Sequence, residues 1–119
     1  MESKNLNGVS DFDEGMDAFN GGDYAKAFAL LKPIADQGHA EAQCIIGNLY
    51  HFGWGVERNV REAIRWYTKS SERGYGLASN NLGSIFMAGE GDIPVDRKAA
   101  ERWYQKACQQ GFPHSPPHK

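Results

Sequence analysis

The feature that most constrains this chain is that its sequence repeats itself at a spacing of about 36 residues. Residues 42–55 and 78–91 share the pattern A-x-x-x-(I/L)-G-x-x-(Y/F)-x-x-G-x-G. The segments that follow, 63–69 and 100–106, match each other at an offset of 37 residues. A repeat of this length is typical of architectures in which each unit buries its apolar side only by stacking on its neighbours.

A third and more divergent copy precedes these two. Residues 23–27 align with residues 59–63, and the first half of this copy, 12–22, is about four residues shorter and lacks the glycine-x-glycine loop. We therefore predict one helical repeat domain. The predicted organisation is a flexible N-terminus at 1–9, the domain at 10–111 with repeats at about 10–38, 39–74 and 75–111, and a Pro-rich tail at 112–119.

Each copy predicts two helices. In the middle copy, Ala42, Ile46 and Leu49 recur at helical spacing on one side of the first helix. Asn59 is a predicted N-cap with Glu62 as its reciprocal capping partner, and Asp23 and Asp96 hold the matching position in the other copies. The predicted helices are 10–20, 23–36, 40–52, 60–73, 76–88 and 96–110. Three helical hairpins of this kind predict an all-α fold, a right-handed α/α solenoid.

Two glycines fall in the middle of predicted helices. Gly47 and Gly83 each cost about 1 kcal/mol relative to alanine, and their recurrence indicates a packing requirement. We expect the paired helix to approach closely at these positions through the small residues Ala63 and Ala100.

The composition narrows the range of partners. The formal net charge is −2 and the basic residues are scattered, so we expect no nucleic-acid partner. Without an apolar stretch of membrane-spanning length we expect no membrane partner, and with Met1 as the native start we expect a cytoplasmic protein. Cys44 and Cys108 fall on different repeats, so we expect them to be free, small fillers that are buried or half-buried.

The two full copies, at 42–74 and 78–111, resemble the Sel-one-like repeat family, which is related to the tetratricopeptide repeats. The shared pattern is A-x-x-x-L-G-x-x-Y-x-x-G-x-G-V followed by A-x-x-W-Y-x-K-(A/S)-x-x-x-G, and the resemblance covers roughly residues 12–111. Two departures are the Ile93-Pro94 expansion of the second loop and Trp54 in the first. The resemblance implies an adaptor or scaffold that binds a protein or peptide through the concave side of a helical solenoid.

If the tetratricopeptide register applies, the first helix of each hairpin lines that concave side. The set combines amides, apolar anchors and a histidine, and contains no Lys or Arg. It consists of Phe12, Met16, Phe19, Glu41, Asn48, His51, Phe52, Asn80, Asn81, Ser84 and Met87, with Trp54 from the adjoining loop.

Competing interpretations of these residues stay open at this point. Phe12 and Phe19 also suit a core between repeats, as do Cys44 and Ile45 of the middle copy. The asparagines and His51 also suit a solvated helix surface. Trp54 suits either an exposed interface anchor or a local lid.

No pattern of catalytic or metal-ligating residues emerges. The four histidines lack a Cys, Asp or Glu partner at metal-ligand spacing, so we predict no metal, no cofactor and no enzymatic activity. The Trp66-Tyr67 and Trp103-Tyr104 pairs fall on the packing side of the second helices, which predicts a core role.

The sequence leaves two functions open, a binding adaptor and a dedicated inhibitor such as a bacterial immunity protein that neutralises a toxin enzyme. For the C-terminal end of the stack two outcomes are open. In a monomer the tail folds back and Phe112 covers the last repeat; alternatively, a second copy, as a weak homodimer, or a partner packs against that end.

Overall fold

The computed structural model describes residues 10–112, and α-helices follow one another along that part of the chain. They are α1 (Asp11–Asn20), α2 (Tyr24–Asp36), α3 (Ala40–Phe52), α4 (Val60–Glu72), α5 (Gly76–Ala88) and α6 (Arg97–Gln109). No β-strand occurs between residues 10 and 112. The prediction of six helices in an all-α fold is confirmed, with each end within one residue of its predicted place. The predicted flexible N-terminus and the tail beyond Phe112 lie outside the described residues.

The predicted N-caps of the second helices are confirmed. Each cap side chain accepts a hydrogen bond from the backbone N–H three residues further on, and these residues are Asp23 (3.3 Å), Asn59 (3.1 Å) and Asp96 (3.0 Å). The reciprocal partner predicted for Asn59 is wrong. The backbone N–H of Asn59 donates to the Tyr50 carbonyl at 2.8 Å, and the Glu62 carboxylate instead accepts from Arg65 at 3.2 Å.

The mid-helix glycines make room for a tyrosine ring of the paired helix. A Cβ added at Gly47 would lie 2.6 Å from the Tyr67 ring, and one added at Gly83 would lie 2.5 Å from the Tyr104 ring. The expected packing requirement is therefore confirmed, but the expected contact with Ala63 and Ala100 is wrong, because the ring of the tyrosine one turn later fills the space.

The first repeat contains the same contact in a form that the sequence comparison missed. Gly15 is buried, and a Cβ there would lie 2.7 Å from the Leu31 side chain. Leu31 occupies the position that tyrosine holds in the other two repeats. The helix-pairing rule is thus common to all three hairpins, although its residues differ.

Two apolar clusters join the hairpins into one elongated stack of 52 × 29 × 22 Å. The first cluster joins repeats one and two around Leu31, Ile46 and Trp66, and the second joins repeats two and three around Tyr67 and Leu82. The predicted core role of the tryptophan-tyrosine pairs is confirmed for the buried Trp66, Tyr67 and Tyr104, whereas Trp103 is half-buried.

Both ends of the stack carry polar residues. In α1, Glu14 and Asp17 stand at the positions where α3 has a buried isoleucine and leucine, and in α6, Arg97 and Glu101 stand where α4 has a valine and an isoleucine. A solenoid needs such polar terminal surfaces to remain soluble. Phe112 lies against the first residue of α5 and its N–H donates to the carbonyl of Ala107 at 3.0 Å. Between residues 10 and 112, every helix is too short or too polar to cross a lipid bilayer.

Candidate binding face

The first helices of the three hairpins, α1, α3 and α5, present one continuous surface, which we call the first-helix face. Its centre is polar. The Asn81 amide nitrogen lies 3.5 Å from the Asn48 side-chain oxygen and 3.7 Å from the Cys44 sulfur, so it bridges α3 and α5. Within residues 10–112, the Asn48 amide nitrogen and the Asn81 amide oxygen have no hydrogen-bond partner. The centre of the face therefore offers one donor and one acceptor to a visiting group.

A buried hydrogen-bond network lies beneath this centre. The Tyr67 hydroxyl donates to the Asn48 oxygen at 2.7 Å, and His51 Nδ1 lies 3.1 Å from the same hydroxyl. His51 Nε2 lies 2.8 Å from Glu90 Oε1, which also accepts from Arg58 at 3.1 Å. His51 is 7 % exposed, so it supports the face from below. Of the two interpretations left open for this histidine, the solvated helix surface is excluded, because both its ring nitrogens are engaged within the protein; a binding role stays a prediction.

The hydroxyl of Tyr67 holds this network together as a neutral group. Burial raises the pKa of Tyr67 far above its ordinary value, and the charges of Cys44 and Glu90 act in the same direction. The hydroxyl therefore keeps its proton and remains a donor to Asn48. Sequence comparison missed the network because His51 and Glu90 are far apart in the chain and fall outside the repeat pattern.

The C-terminal ends of the first helices form an aromatic edge, defined by Phe52, Trp54 and Met87. These side chains are 50 %, 38 % and 39 % exposed. The Trp54 ring lies between two rings, Tyr24 at 4.9 Å and Phe52 at 4.8 Å, and Phe52 in turn stacks on His51 at 4.3 Å. Trp54 thus holds its loop against the start of α2, as the interpretation of a local lid requires. Part of its ring nevertheless remains accessible.

The opposite edge of the face is acidic and is formed by the N-terminal ends of the first helices. We define this acidic edge by Asp13, which is exposed, and Glu41, which is half-buried; Leu77 continues it on α5. Burial raises the pKa of the Cys44 thiol to about 12, with the Glu41 charge as the next cause. Burial, followed by the Glu41 charge, also raises the pKa of Tyr75. The Glu41 carboxylate thus acts on two neighbouring groups of the face.

The remaining predicted site residues lie beside the face or partly under it. The Phe12 ring lies 4.4 Å from the ring of His39, and it lines an open cavity of about 710 Å³ at the start of the stack. Met16 and Phe19 are half-buried against the first core cluster. Asn80 is half-buried, and its side-chain oxygen has no partner among the described residues. A binding role for these four residues stays a prediction. Ser84 is exposed on α5, and its binding role is likewise a prediction.

The two cysteines differ in their surroundings. Both are free; Cys44 is buried as predicted, whereas Cys108 is exposed. The expectation of burial was wrong for Cys108 because no helix among the described residues covers the outer side of α6. Within residues 10–112, no group of three or more His, Cys, Asp or Glu side chains is arranged to hold a metal ion.

Comparison with known proteins agrees with this architecture. Chitin synthase regulatory factor 3 of Schizosaccharomyces pombe is 36 % identical over 89 residues, which are 73 % of this chain and 10 % of that protein. The ERAD-associated E3 ubiquitin-protein ligase component HRD3B of Arabidopsis thaliana is 33 % identical over 84 residues, 71 % of this chain and 14 % of that protein. The chain therefore spans only a small part of the length of these relatives.

A solved structure shares the fold as well. The protective antigen c5321 of uropathogenic Escherichia coli, described as displaying an SLR fold, superposes with a TM-score of 0.77 at 30 % identity over 85 % of this chain and 22 % of that one. The Sel1 repeat family model matches residues 15–39, 40–75 and 76–112. Proteins of this family are generally scaffolds or adaptors for protein interactions, on a fold that is not catalytic. With consecutive repeats matched from residue 15 to residue 112, this chain belongs to the Sel1 repeat family.

Proposed function

We propose that this protein is an adaptor that holds a peptide or a protein segment on its first-helix face, which forms the concave side of the solenoid. The observation that carries the proposal is the aromatic edge. Phe52 and Met87 remain 50 % and 39 % exposed, although apolar side chains elsewhere in the same helices fill the two core clusters. Large apolar side chains that stay accessible beside hydrogen-bonding groups are typical anchors of protein interfaces.

The centre of the face complements these anchors. The Asn48 amide nitrogen and the Asn81 amide oxygen supply a donor and an acceptor that suit a peptide backbone, which carries one of each per residue. The Tyr67 hydroxyl fixes the orientation of the Asn48 side chain. A rigid polar centre lowers the entropy lost when a segment binds.

The ends of the stack are less suited to a partner. Charged side chains occupy them at the positions where internal repeats have apolar contacts, and charged groups are depleted at the centres of stable interfaces. The first-helix face combines apolar anchors with accessible amides, and is therefore the better candidate.

A double substitution tests this function. Phe52→Glu together with Met87→Glu places two charges on the aromatic edge, and we expect it to abolish capture of protein partners from an extract of the native cell, measured by quantitative mass spectrometry. Val95→Glu is the matched control, because Val95 is an exposed apolar residue (54 %) outside the first helices. Both variants should retain the helical circular dichroism of the wild type. Unchanged capture by the double variant, with helicity intact, would exclude the aromatic edge as the binding site.

An inhibitor would use the same face, and its defining feature would be genomic. A toxin gene adjacent to the gene for this chain would favour that alternative. Direct inhibition of the encoded enzyme by the purified protein is the corresponding measurement.

A further inference from the structure

Charged residues are distributed unevenly between the two sets of helices. The first helices, α1, α3 and α5, contain five carboxylates and no Lys or Arg. The second helices, α2, α4 and α6, contain nine of the thirteen Lys and Arg residues of the chain. The first helices therefore carry negative charge, four of the five carboxylates lying in α1. A negative surface favours cationic partners, since complementary potentials steer association and exclude partners of the wrong charge.

The carboxylates relevant to a partner are those on the face itself. Asp13 is exposed and Glu41 is half-buried, and no salt bridge engages either of them among residues 10–112. A cation at the other edge of the face is already engaged within the protein. Arg58 at the aromatic edge binds Glu90 and the carbonyl of His51.

The two edges lie at unequal distances from the polar centre of the face. With a helical rise of 1.5 Å per residue, Glu41 is about 10 Å from Asn48 along α3, and Phe52 is about 6 Å away in the other direction. Consider a segment whose backbone crosses the three first helices at the level of Asn48. On one side of it, a long side chain can reach the Glu41 carboxylate. On the other side, a shorter side chain can reach the Phe52 ring.

An extended backbone directs successive side chains to opposite sides. We propose, on the basis of the proposed function, that the first-helix face binds an extended segment in which Lys or Arg alternates with apolar residues. The cationic side chains lie over Asp13 and Glu41, and the apolar ones lie against Phe52 and Met87. Its backbone exchanges hydrogen bonds with the accessible amide atoms of Asn48 and Asn81.

Binding of synthetic peptides tests this inference. The probes are eight-residue peptides with a neutral fluorophore: alternating leucine and lysine, alternating leucine and glutamate, and four leucines followed by four lysines. Fluorescence anisotropy should show that the alternating lysine peptide binds at least about tenfold more tightly than either of the others, a difference of about 1.4 kcal/mol. Its affinity should also fall with added salt.

Charge reversal at the acidic edge supplies the decisive variant. Asp13→Lys with Glu41→Lys should reverse the order, so that the glutamate peptide binds more tightly than the lysine peptide. Glu72→Lys with Glu101→Lys is the matched control, because it changes the net charge equally at exposed residues of the second helices and should leave the preference for the lysine peptide intact.

The outcomes separate this inference from the proposed function. If the alternating lysine peptide fails to bind, or if the two lysine-containing peptides bind equally, the inference is overturned. A charge preference that is lost equally in both reversal variants also overturns it, because the preference then reflects net charge alone. In each of these cases the proposed function still stands provided that partner capture depends on Phe52 and Met87.

Discussion

The contact between Gly47 and Tyr67 sets the spacing of the central hairpin, so Gly47→Ala is the most informative stability variant. The added methyl group would lie 2.6 and 2.7 Å from two carbons of the ring, and the ring is fully buried. Either the ring or a helix must therefore shift. Overpacking of this kind costs about 1–3 kcal/mol, whereas replacing a mid-helix glycine by alanine recovers about 1 kcal/mol. We expect the free energy of unfolding to fall by about 1 kcal/mol, which corresponds to a decrease in Tm of about 4–8 °C.

Urea unfolding followed by circular dichroism measures this change. The control is the same substitution in a Tyr67→Ala background, where the methyl group enters the space vacated by the ring. There, Gly47→Ala should stabilise the protein by about 1 kcal/mol through helix propensity alone. Equal effects in the two backgrounds, or a gain of stability in the wild-type background, would refute the account of helix pairing.

Three further outcomes follow from the same contacts. Tyr67→Phe removes the hydroxyl that joins Asn48 and His51 and should lower the free energy of unfolding, measured in urea, by about 1–3 kcal/mol. Tyr50→Phe should cost less, because the Tyr50 hydroxyl has no partner among residues 10–112. An equal loss in the two variants would contradict the network. In the folded protein a thiol reagent should modify the exposed Cys108 rapidly and the buried Cys44 only on unfolding, so rapid modification of two thiols would show that Cys44 is accessible. Since burial raises the pKa of Cys44 from 9.0 to about 12, the folded state holds its thiol proton where the unfolded state has lost it, and stability should fall as the pH rises from about 9 to about 12. Cys44→Ala should weaken this alkaline loss, and an identical pH profile for both proteins would remove Cys44 as a cause.

The helices were predictable because their signals are local and recur. Asp23, Asn59 and Asp96 each begin a helix with the same cap, and the residues that each helix buries follow its period. The predicted capping bond between Glu62 and the Asn59 N–H was wrong because other groups compete for both partners. The Asn59 N–H already reaches the Tyr50 carbonyl, which leaves the Glu62 carboxylate to Arg65.

The tyrosines show where repeat analysis stops short. Gly47 and Gly83 predicted close packing against the paired helix, but the sequence does not show which residue of that helix contacts them. The packing direction of the side chains decides that the space goes to Tyr67 and Tyr104 rather than to Ala63.

The candidate site was predictable only as a set of helix positions. Helical period alone did not predict that His51 is buried and Phe52 exposed, because Met87, which holds the position of His51 in α5, is itself exposed. Their difference depends on Glu90, which comes from the next repeat and draws the imidazole inward. The exposure of Cys108 also depends on the neighbouring repeat. The corresponding residue of α4, Ser71, is buried, whereas Cys108 is exposed in α6.

Site-specific photo-crosslinking in the native cell tests the central claim most directly. A photoreactive amino acid at position 52 should crosslink a protein partner, whereas the same group at position 95, a similarly exposed site outside the first helices, should not. Crosslinks that form at position 95 but not at position 52 would contradict a binding site on the first-helix face.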